Sequence, residues 1–162
     1  MSKINESWYS SNTDQWATPQ DFFDAVNAEF GFSLDVCAMP CSSKCCRFFD
    51  PTDDGLSQQW NQHRCWMNPP YGRTIGDWMQ KAAEEAALGA LVVCLVPARV
   101  DTKWWHGWVM GYADEVRLVK GRLKFGDAKN AAPFPSALVI YQPHTSKNMF
   151  GSPVFTSFDW RK

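Results

Sequence analysis

The residues best suited to do chemistry are Asn68-Pro69-Pro70-Tyr71, which follow directly on the short apolar run Cys65-Trp66-Met67. The asparagine amide oxygen and a neighbouring backbone carbonyl held by proline make two acceptors in a fixed fork, which matches the two N–H donors of an exocyclic amine. Accepting both hydrogens would direct the nitrogen lone pair at an electrophile without a general base. Tyr71 would offer a face on which a flat ring stacks, a contact worth roughly 1–3 kcal/mol for a base. The motif therefore predicts transfer to an amine nitrogen, with a sulfonium methyl as the obvious donor.

A strand that ends in a stiff loop must position these four residues. Proline lacks the N–H that a sheet ladder needs, and it disfavours the helical region for the residue before it. The apolar run is therefore predicted to leave the sheet at Asn68, at the carboxyl end of the strand. Ligands bind at that edge in open α/β sheets, which favours a binding site over an ordinary proline-rich turn.

Helix and strand signals alternate along the chain on both sides of the motif. The first helix is predicted to have Thr18 as its N-cap and Pro19 as its first residue, and to end near Glu29 before Gly31. A second helix is predicted from Thr74 to near Gly89, and a third from Asp101. Strands are predicted at residues 32–36, 46–49, 65–67, 90–96, 115–119 and 136–141.

This order predicts a single α/β domain with a mostly parallel sheet. The strands at 115–119 and 136–141 leave no room for a helix between them, so the last strand is predicted as an antiparallel partner at one edge. A parallel crossover usually takes a dozen or more residues, so Cys37 to Lys44 predicts an abbreviated first crossover.

The two ends of the chain differ in composition. Residues 1–15 are polar and are predicted to be a flexible arm with Trp8 and Tyr9 as its only anchors, leaving 16–162 as the domain. Residues 144–162 contain four aromatic side chains and are expected to pack back on that domain.

Charge and composition exclude some classes of protein. Sixteen basic and seventeen acidic residues give a net charge of -1, so no overall basic field drives nucleic-acid binding, and any such contact must come from a local patch. The longest apolar run, Leu91 to Val96, is far too short to span a bilayer, and no secretory signal is present. A soluble cytosolic protein is the simple expectation.

The six cysteines are expected to be reduced thiols, since a chain of this size does not need disulfide staples. Four of them, Cys37, Cys41, Cys45 and Cys46, lie within ten residues and could instead form a zinc site. Their spacings do not give the paired C-x-x-C arrangement of common zinc knuckles, so no metal is predicted.

The chain resembles the small phage-type DNA N6-adenine methyltransferases, in which Asn-Pro-Pro-Tyr is the catalytic motif. The resemblance covers about Trp16 to Tyr141. It is carried, besides Asn68 to Tyr71, by the segments Trp16 to Pro19, Leu34 to Ala38, Asp54 to Leu56, Leu95 to Ala98, Gly121-Arg122 and Pro133 to Ser136. It implies a single-domain Rossmann-like methyltransferase fold, S-adenosylmethionine as cofactor, and an adenine in DNA as substrate.

The resemblance also implies roles for individual residues. Asn68 and the Pro69 carbonyl would hold the target amine, Pro70 would stiffen the loop and Tyr71 would stack the base. The glycine-rich turn of most methyltransferases is absent, and Cys37-Ala38-Met39-Pro40-Cys41 stands in its place. The residues expected at the cofactor are Trp16, Thr18, Pro19, Asp35, Cys37, Ala38, Asp50 and Asp54.

A base inside a duplex cannot present its amine to the motif, so the adenine would be flipped out at a cost of a few kcal/mol. Seven basic residues between Arg99 and Lys129 could provide DNA contacts, although a merely solvated face is an alternative. The residues expected to contact DNA are Arg99, Lys103, Arg122 and Lys124.

Two other functions stay open from the residues alone. Glutamine side chains and RNA bases also present amines to an Asn-Pro-Pro-Tyr motif. A non-catalytic nucleic-acid-binding module built on cysteine-bound zinc is the third possibility.

Overall fold

A computed structural model describes residues 16–143 and 153–162 of the chain. Its helices are α1 (Gln20–Phe30) and α2 (Ile75–Ala87), with a 3-10 turn at Gly55–Ser57 and a π-helical turn at Trp105–Val109. Its strands are β1 (Leu34–Asp35), β2 (Arg64–Met67), β3 (Leu91–Pro97), β4 (Glu115–Val119), β5 (Ser136–Tyr141) and β6 (Val154–Phe158). The predicted arm, residues 1–15, lies outside the described residues.

The six strands form one sheet in the order β1-β2-β3-β5-β4-β6. β1, β2 and β3 are parallel neighbours, and β4 and β6 are parallel to each other. β5 runs antiparallel to both β3 and β4. The predicted α/β class, the mostly parallel sheet and the antiparallel strand at 136–141 are therefore confirmed.

The position of the antiparallel strand differs from the prediction, because β5 lies between β3 and β4 and is not itself an outer strand. All six of its residues are buried, as expected for a strand with a neighbour on each side. The outer position on that side belongs to β6, which the sequence pattern did not indicate.

The two faces of the sheet are covered by different elements. Phe23 of α1 packs edge-on against Trp66 of β2, with ring centroids 5.3 Å apart. Trp66 is in register with Val93, and Val93 with Ile140. The next residue, Tyr141, points to the opposite face, where its hydroxyl donates to the Trp108 carbonyl at 2.7 Å. Asn68, two residues after Trp66, therefore faces the side of the sheet that carries α1.

The residues at the helix ends match the caps predicted from the sequence only in part. Gly31 ends α1 in the left-handed conformation with φ of 62°, as predicted. Thr18 was expected to be the N-cap, but Pro19 occupies that position and no side chain caps the helix. Thr74 precedes α2 without a side-chain cap bond.

The third helix, predicted from Asp101, forms only as a short helical segment over residues 103–109, most of which is the π turn at Trp105–Val109. Thr102, rather than Asp101, provides the side-chain bond at its start, accepting from the Trp105 N–H at 3.3 Å. Gly107 and Gly111 disfavour a longer helix here, since each glycine costs about 1 kcal/mol relative to alanine.

The first crossover is abbreviated, as predicted, with no helix between β1 and the 3-10 turn. The strand predicted at 46–49 is reduced to a single bridge between Asp35 and Phe48. The described part of the C-terminal segment packs back on the domain, as expected, where Phe158 and Trp160 contact Phe22 edge-on. In the described residues, no helix is both long enough and apolar enough to cross a membrane.

Candidate active site

Asn68 leaves the sheet one residue after β2, and its side-chain amide is held by the segment that precedes α1. Asn68 Nδ2 donates to the Trp16 carbonyl and to Thr18 Oγ1, the second bond at 2.9 Å. Thr18 is only 5% exposed. The hydroxyl that was predicted to cap α1 is therefore bound to the motif instead.

Tyr71 closes the other side of the same amide. Its hydroxyl lies 2.6 Å from Asn68 Oδ1 and 3.1 Å from the Leu95 carbonyl. The side chain is 3% exposed, and burial raises the pKa of its hydroxyl well above the ordinary value. Tyr71 is therefore a neutral hydrogen-bond donor at this site.

The Tyr71 ring belongs to an aromatic cluster formed by Trp16, Tyr71, Phe125 and Phe134. The Trp16 and Tyr71 rings lie nearly parallel, 16° apart in orientation with centroids 6.4 Å apart. Phe125 and Phe134 contact Tyr71 edge-on at 6.1 Å and 5.6 Å. The face predicted to stack a base is thus packed against protein rings, and one of these rings must move to admit a base.

A cavity of about 250 Å³ lies beside the motif. It brings together the predicted catalytic and cofactor residues Trp16, Thr18, Asp35, Cys37, Ala38, Asn68, Pro69 and Pro70. It is also lined by residues that the sequence analysis did not assign, namely Ala17, Met39, Cys41, Ser42, Lys44 and Trp66. Most of these residues come from the loop that stands in place of the glycine-rich turn, and this unusual loop was the available signal in the sequence.

Asp35 is the acidic group of this cavity. It is 2% exposed and accepts backbone N–H bonds from Lys44 at 2.9 Å and Cys37 at 3.3 Å. Burial raises the pKa of its carboxyl from 3.8 to about 7, against the smaller opposing effects of these two hydrogen bonds. The loop after β1 thus supplies backbone donors to a buried carboxyl.

Three predicted cofactor residues, Pro19, Asp50 and Asp54, are not part of the cavity wall. The Asp50 carboxylate accepts from the Thr52 hydroxyl at 2.5 Å and the Thr52 backbone N–H at 2.9 Å. These bonds, led by the hydroxyl, lower the pKa of Asp50 and use its oxygen within its own turn.

Asp54 differs from Asp50 in its backbone conformation and in its side-chain hydrogen bonding. Its backbone has a φ of 55°, which a non-glycine residue rarely adopts. Its Oδ1 is buried and has no hydrogen-bond partner among the described residues. A buried carboxylate oxygen in this state is an acceptor suited to a donor from a ligand.

The described residues include no group of three or more His, Cys, Asp and Glu side chains placed to hold a metal ion. Cys37, Cys41, Cys45 and Cys46 are free thiols. The zinc alternative therefore has no ligand set within residues 16–143 and 153–162.

The predicted DNA-binding residues fall into two pairs. Arg99 donates to the Tyr71 carbonyl at 3.1 Å and lies 5.9 Å from the Phe134 ring centroid. Arg122 donates to the Ala132 carbonyl at 3.3 Å. Lys103 and Lys124 are exposed. The two arginines thus support loops around the aromatic cluster while their surfaces stay accessible.

Sequence reasoning missed Phe125 and Phe134, the two rings that flank Tyr71. They lie in the loop between β4 and β5, where the Ala132 N–H donates to the Leu123 carbonyl at 2.8 Å and folds the loop back. Aromatic residues next to glycine and proline at 121–135 were the available signal. It could not be read without knowing that this loop reaches the end of β2.

Comparison with known proteins gives a consistent result. A family model described as DNA N-6-adenine-methyltransferase (Dam) matches residues 6–156. A DNA N-6-adenine-methyltransferase of Haemophilus phage HP1 (strain HP1c1) is 29% identical over 150 residues, which cover 88% of this chain and 86% of the relative. A protein named as a methyltransferase, YfdM of Escherichia coli (strain K12), is 32% identical over 65 residues, or 36% of this chain and 71% of the relative.

Among solved structures, one similar chain is named as a modification subunit of a type I restriction enzyme from Vibrio vulnificus YJ016. The match has a TM-score of 0.43 at 10% identity and covers 91% of this chain. This chain spans about half of that longer one, 48% of its length.

Proposed function

Since this chain belongs to the DNA N-6-adenine-methyltransferase (Dam) family and is a DNA adenine methyltransferase, we propose that Asn68 to Tyr71 hold the target adenine and that S-adenosylmethionine is the methyl donor. The observation that carries the proposal is the contact of the Asn68 motif with a cavity that also contains a buried acidic side chain. Acceptor and donor sites must adjoin for a direct methyl transfer.

The residues around the cavity fit S-adenosylmethionine by their chemistry. The cofactor carries a sulfonium and an ammonium group, and the Asp35 carboxyl on the cavity wall can pair with a cation once it is ionised. The cofactor also carries an adenine amine; Asp54 lies outside the cavity wall, and its unpartnered buried Oδ1 is the acceptor that we propose for this amine. When bound, S-adenosylmethionine supplies an electrophilic methyl group.

The segment ahead of α1 contributes Trp16 and Thr18 to the same wall, and the loop after β1 contributes Cys37 and Ala38. Pro19 adjoins this wall through Thr18. We assign the ribose hydroxyls of the cofactor to Asp50, whose carboxylate must exchange the bonds from Thr52 for that role. These assignments are part of the proposal.

The remaining residues act on the base. Asn68 Oδ1 and the Pro69 carbonyl would accept the two hydrogens of the adenine N6 amine and leave its lone pair directed at the methyl group. Pro70 would stiffen the loop, and Tyr71 would stack the ring after displacement of a neighbour in the aromatic cluster. In this transfer the amine nitrogen would gain the methyl group as the bond from methyl carbon to sulfur breaks, the sulfur would leave as a neutral thioether, and the nitrogen would lose one proton to solvent.

We propose that the substrate is duplex DNA and that the adenine is flipped out of the helix, because a stacked base cannot reach a motif at the bottom of an aromatic cluster. Arg99, Lys103, Arg122 and Lys124 surround that cluster or lie on exposed positions near it in the chain, which suits contacts to phosphates. Such contacts help to offset the cost of flipping.

The proposed domain is residues 16–162, with residues 1–15 as an arm. Its substrate places the enzyme where DNA is, which for a phage-encoded relative of the HP1 enzyme is the cytoplasm of the host. Protection of phage DNA from restriction is the corresponding biological role.

The test of this function is methyl transfer from radiolabelled S-adenosylmethionine to adenine-containing duplex DNA, followed by digestion to nucleosides and identification of the product by mass. N6-methyladenine is the expected product. Asn68→Ala, with a melting temperature that matches the wild type, is the matched inactive control. The proposal fails if N6-methyladenine forms at equal rates with wild type and Asn68→Ala, or if calorimetry detects no cofactor binding.

A further inference from the structure

The Thr18 hydroxyl bonds to a residue 50 positions away, although the local sequence predicts that it caps α1. It accepts from Asn68 Nδ2 at 2.9 Å, while α1 begins without any side-chain cap. A capping bond stabilises a helix, so its absence here is a stability contribution that the fold does without. Asn68 receives that acceptor instead.

We propose that Thr18, together with the Trp16 carbonyl, is a positioning residue that fixes the orientation of the Asn68 amide; the inference rests on the proposed role of Asn68 in holding the adenine amine. A side-chain amide has an oxygen and a nitrogen of nearly the same shape, and rotation by 180° exchanges them. Only one orientation presents the oxygen to a substrate N–H.

The hydrogen-bond partners of Asn68 are compatible with a single orientation. The Trp16 carbonyl has no hydrogen to donate, so the group facing it must be the amide nitrogen. The Tyr71 hydroxyl can donate, and it lies 2.6 Å from the amide oxygen. A rotated amide would set its oxygen against the Trp16 carbonyl oxygen, where neither atom has a hydrogen to donate. The Trp16 carbonyl thus selects the orientation, and the Thr18 hydroxyl, which can accept or donate, adds a second bond that holds the amide in place.

Burial makes this arrangement selective. Thr18 is 5% exposed and Tyr71 is 3% exposed, so water cannot readily replace either partner. A buried polar group without a partner is costly, which penalises the rotated amide more than it would be penalised in solvent.

Thr18 also lines the cavity proposed for the cofactor, and a cofactor contact that depends on the shape of its side chain is kept in Thr18→Val. A cofactor contact made by its hydroxyl is the competing explanation. The two roles affect different quantities. A positioning residue changes kcat with little effect on cofactor affinity. A cofactor contact changes the cofactor Kd first.

The experiment compares Thr18→Val, which keeps the shape and removes the hydroxyl, with Thr18→Ser, which keeps the hydroxyl. Methyl transfer to duplex DNA gives kcat and KM, calorimetry gives the cofactor Kd, and thermal unfolding gives the melting temperature. Thr156→Val, at an exposed position of β6, is the control for the substitution itself.

We expect Thr18→Val to lower kcat about tenfold, the effect of one lost hydrogen bond, with a cofactor Kd within twofold of the wild type. Thr18→Ser is expected to recover kcat to within about threefold. In NMR spectra, the two side-chain N–H signals of Asn68 are expected to shift in Thr18→Val and to keep close to their wild-type positions in Thr18→Ser.

Two results would overturn the inference while leaving the proposed function intact. One is a wild-type kcat for a folded Thr18→Val, and the other is a raised cofactor Kd with unchanged kcat. If Thr18→Val does not fold, Thr18→Ala is measured against the same expectations. Activity of Asn68→Ala would instead overturn the proposed function, on which the inference rests.

Discussion

The Tyr71 hydroxyl lies within hydrogen-bond distance of two acceptors, Asn68 Oδ1 at 2.6 Å and the Leu95 carbonyl at 3.1 Å. A hydroxyl has one proton, so it can donate to only one of them at a time. When it donates to Asn68, it uses one of the two lone pairs of the oxygen that the proposed mechanism assigns to the adenine amine. An amide oxygen has two lone pairs, so Asn68 Oδ1 can accept from the adenine amine whether the Tyr71 proton points to it or to Leu95.

This relationship leads to different expectations for two substitutions of Tyr71. Tyr71→Phe keeps the ring and removes the hydroxyl, so methyl transfer is expected to change by less than about threefold. Tyr71→Ala removes the stacking ring, which is worth roughly 1–3 kcal/mol, so kcat/KM for DNA is expected to fall about 5- to 150-fold. Steady-state kinetics on one DNA duplex measures both.

Loss of the ring also opens a space in the aromatic cluster, and large-to-alanine changes of buried aromatic residues cost about 3–5 kcal/mol. The melting temperature of Tyr71→Ala must therefore be measured, and activity compared at a temperature where it is folded. Equal activity of folded Tyr71→Ala and wild type would remove the stacking role.

The acceptor role of Asn68 is tested by removing its whole amide group and by replacing only its nitrogen. Asn68→Ala removes the acceptor, and transfer is expected to fall at least 10²–10³-fold, the effect of deleting one preorganised polar group in an active site. Asn68→Asp keeps an acceptor and is expected to retain more activity than Asn68→Ala. It should still fall below wild type, because one carboxylate oxygen replaces the nitrogen that faces the Trp16 carbonyl.

Single-turnover rates with saturating cofactor measure this series, and circular dichroism confirms that each variant is folded. Asn68→Asp at or below the rate of Asn68→Ala would argue that the nitrogen, and not the oxygen, makes the essential contact.

Much of this site could be predicted from the sequence because its signals are local. Proline at 69 and 70 ends β2 whatever surrounds it, and the apolar run at 91–97 forms a strand buried on both faces. The position of Asn68 at a strand end followed from the two prolines, and that of β3 followed from its apolar run.

The features that escaped prediction depend on contacts far apart in the chain. Thr18 has the local pattern of an N-cap, and only the fold brings Asn68 to it. β5 enters between β3 and β4, a choice of neighbours that spacing in the sequence does not determine. β6 has mostly exposed residues because it lies at the edge, so its hydrophobic pattern is weak.

Asp35 predicts an unusual dependence of stability on pH. Burial raises the pKa of its carboxyl to about 7 in the folded protein, above its ordinary value of 3.8. The folded state therefore binds this proton more tightly than the unfolded state, so the stability from protonated Asp35 is present at low pH and is lost as pH rises from about 4 to about 7. Asp35→Asn stays neutral and is expected to be more stable than wild type above pH 7.

Chemical denaturation of both proteins from pH 5 to pH 8 measures this difference. The free energy of unfolding of the wild type relative to Asp35→Asn is expected to fall across this range. A constant difference between the two proteins would show that Asp35 does not titrate there.

The same group predicts how binding of S-adenosylmethionine depends on pH. Below pH 7 the Asp35 carboxyl of the free protein is protonated, and pairing with a cationic cofactor then requires loss of that proton. Affinity is therefore expected to fall as pH decreases below about 7, approaching tenfold per pH unit for a single proton. Calorimetry across this range provides the measurement, and Asp35→Asn should bind weakly with little pH dependence. An affinity that is flat in pH for the wild type contradicts the pairing.

Replacing a predicted DNA-binding residue is expected to have an effect that depends on whether its side chain also contacts the protein around the motif. Lys124 is exposed, so Lys124→Ala is expected to reduce the slope of log affinity against log salt concentration by about 1, the loss of one phosphate contact, with kcat unchanged. Arg99 also holds the Tyr71 carbonyl at 3.1 Å, so Arg99→Ala is expected to lower kcat as well as DNA affinity.

DNA binding at several salt concentrations, together with kcat at saturating DNA, measures both effects. Glu84→Gln, an exposed site on α2, is the control for a change of one charge. An unchanged salt slope in Lys124→Ala would place that lysine outside the DNA interface, and an unchanged kcat in Arg99→Ala would show that its bond to Tyr71 does not support the motif.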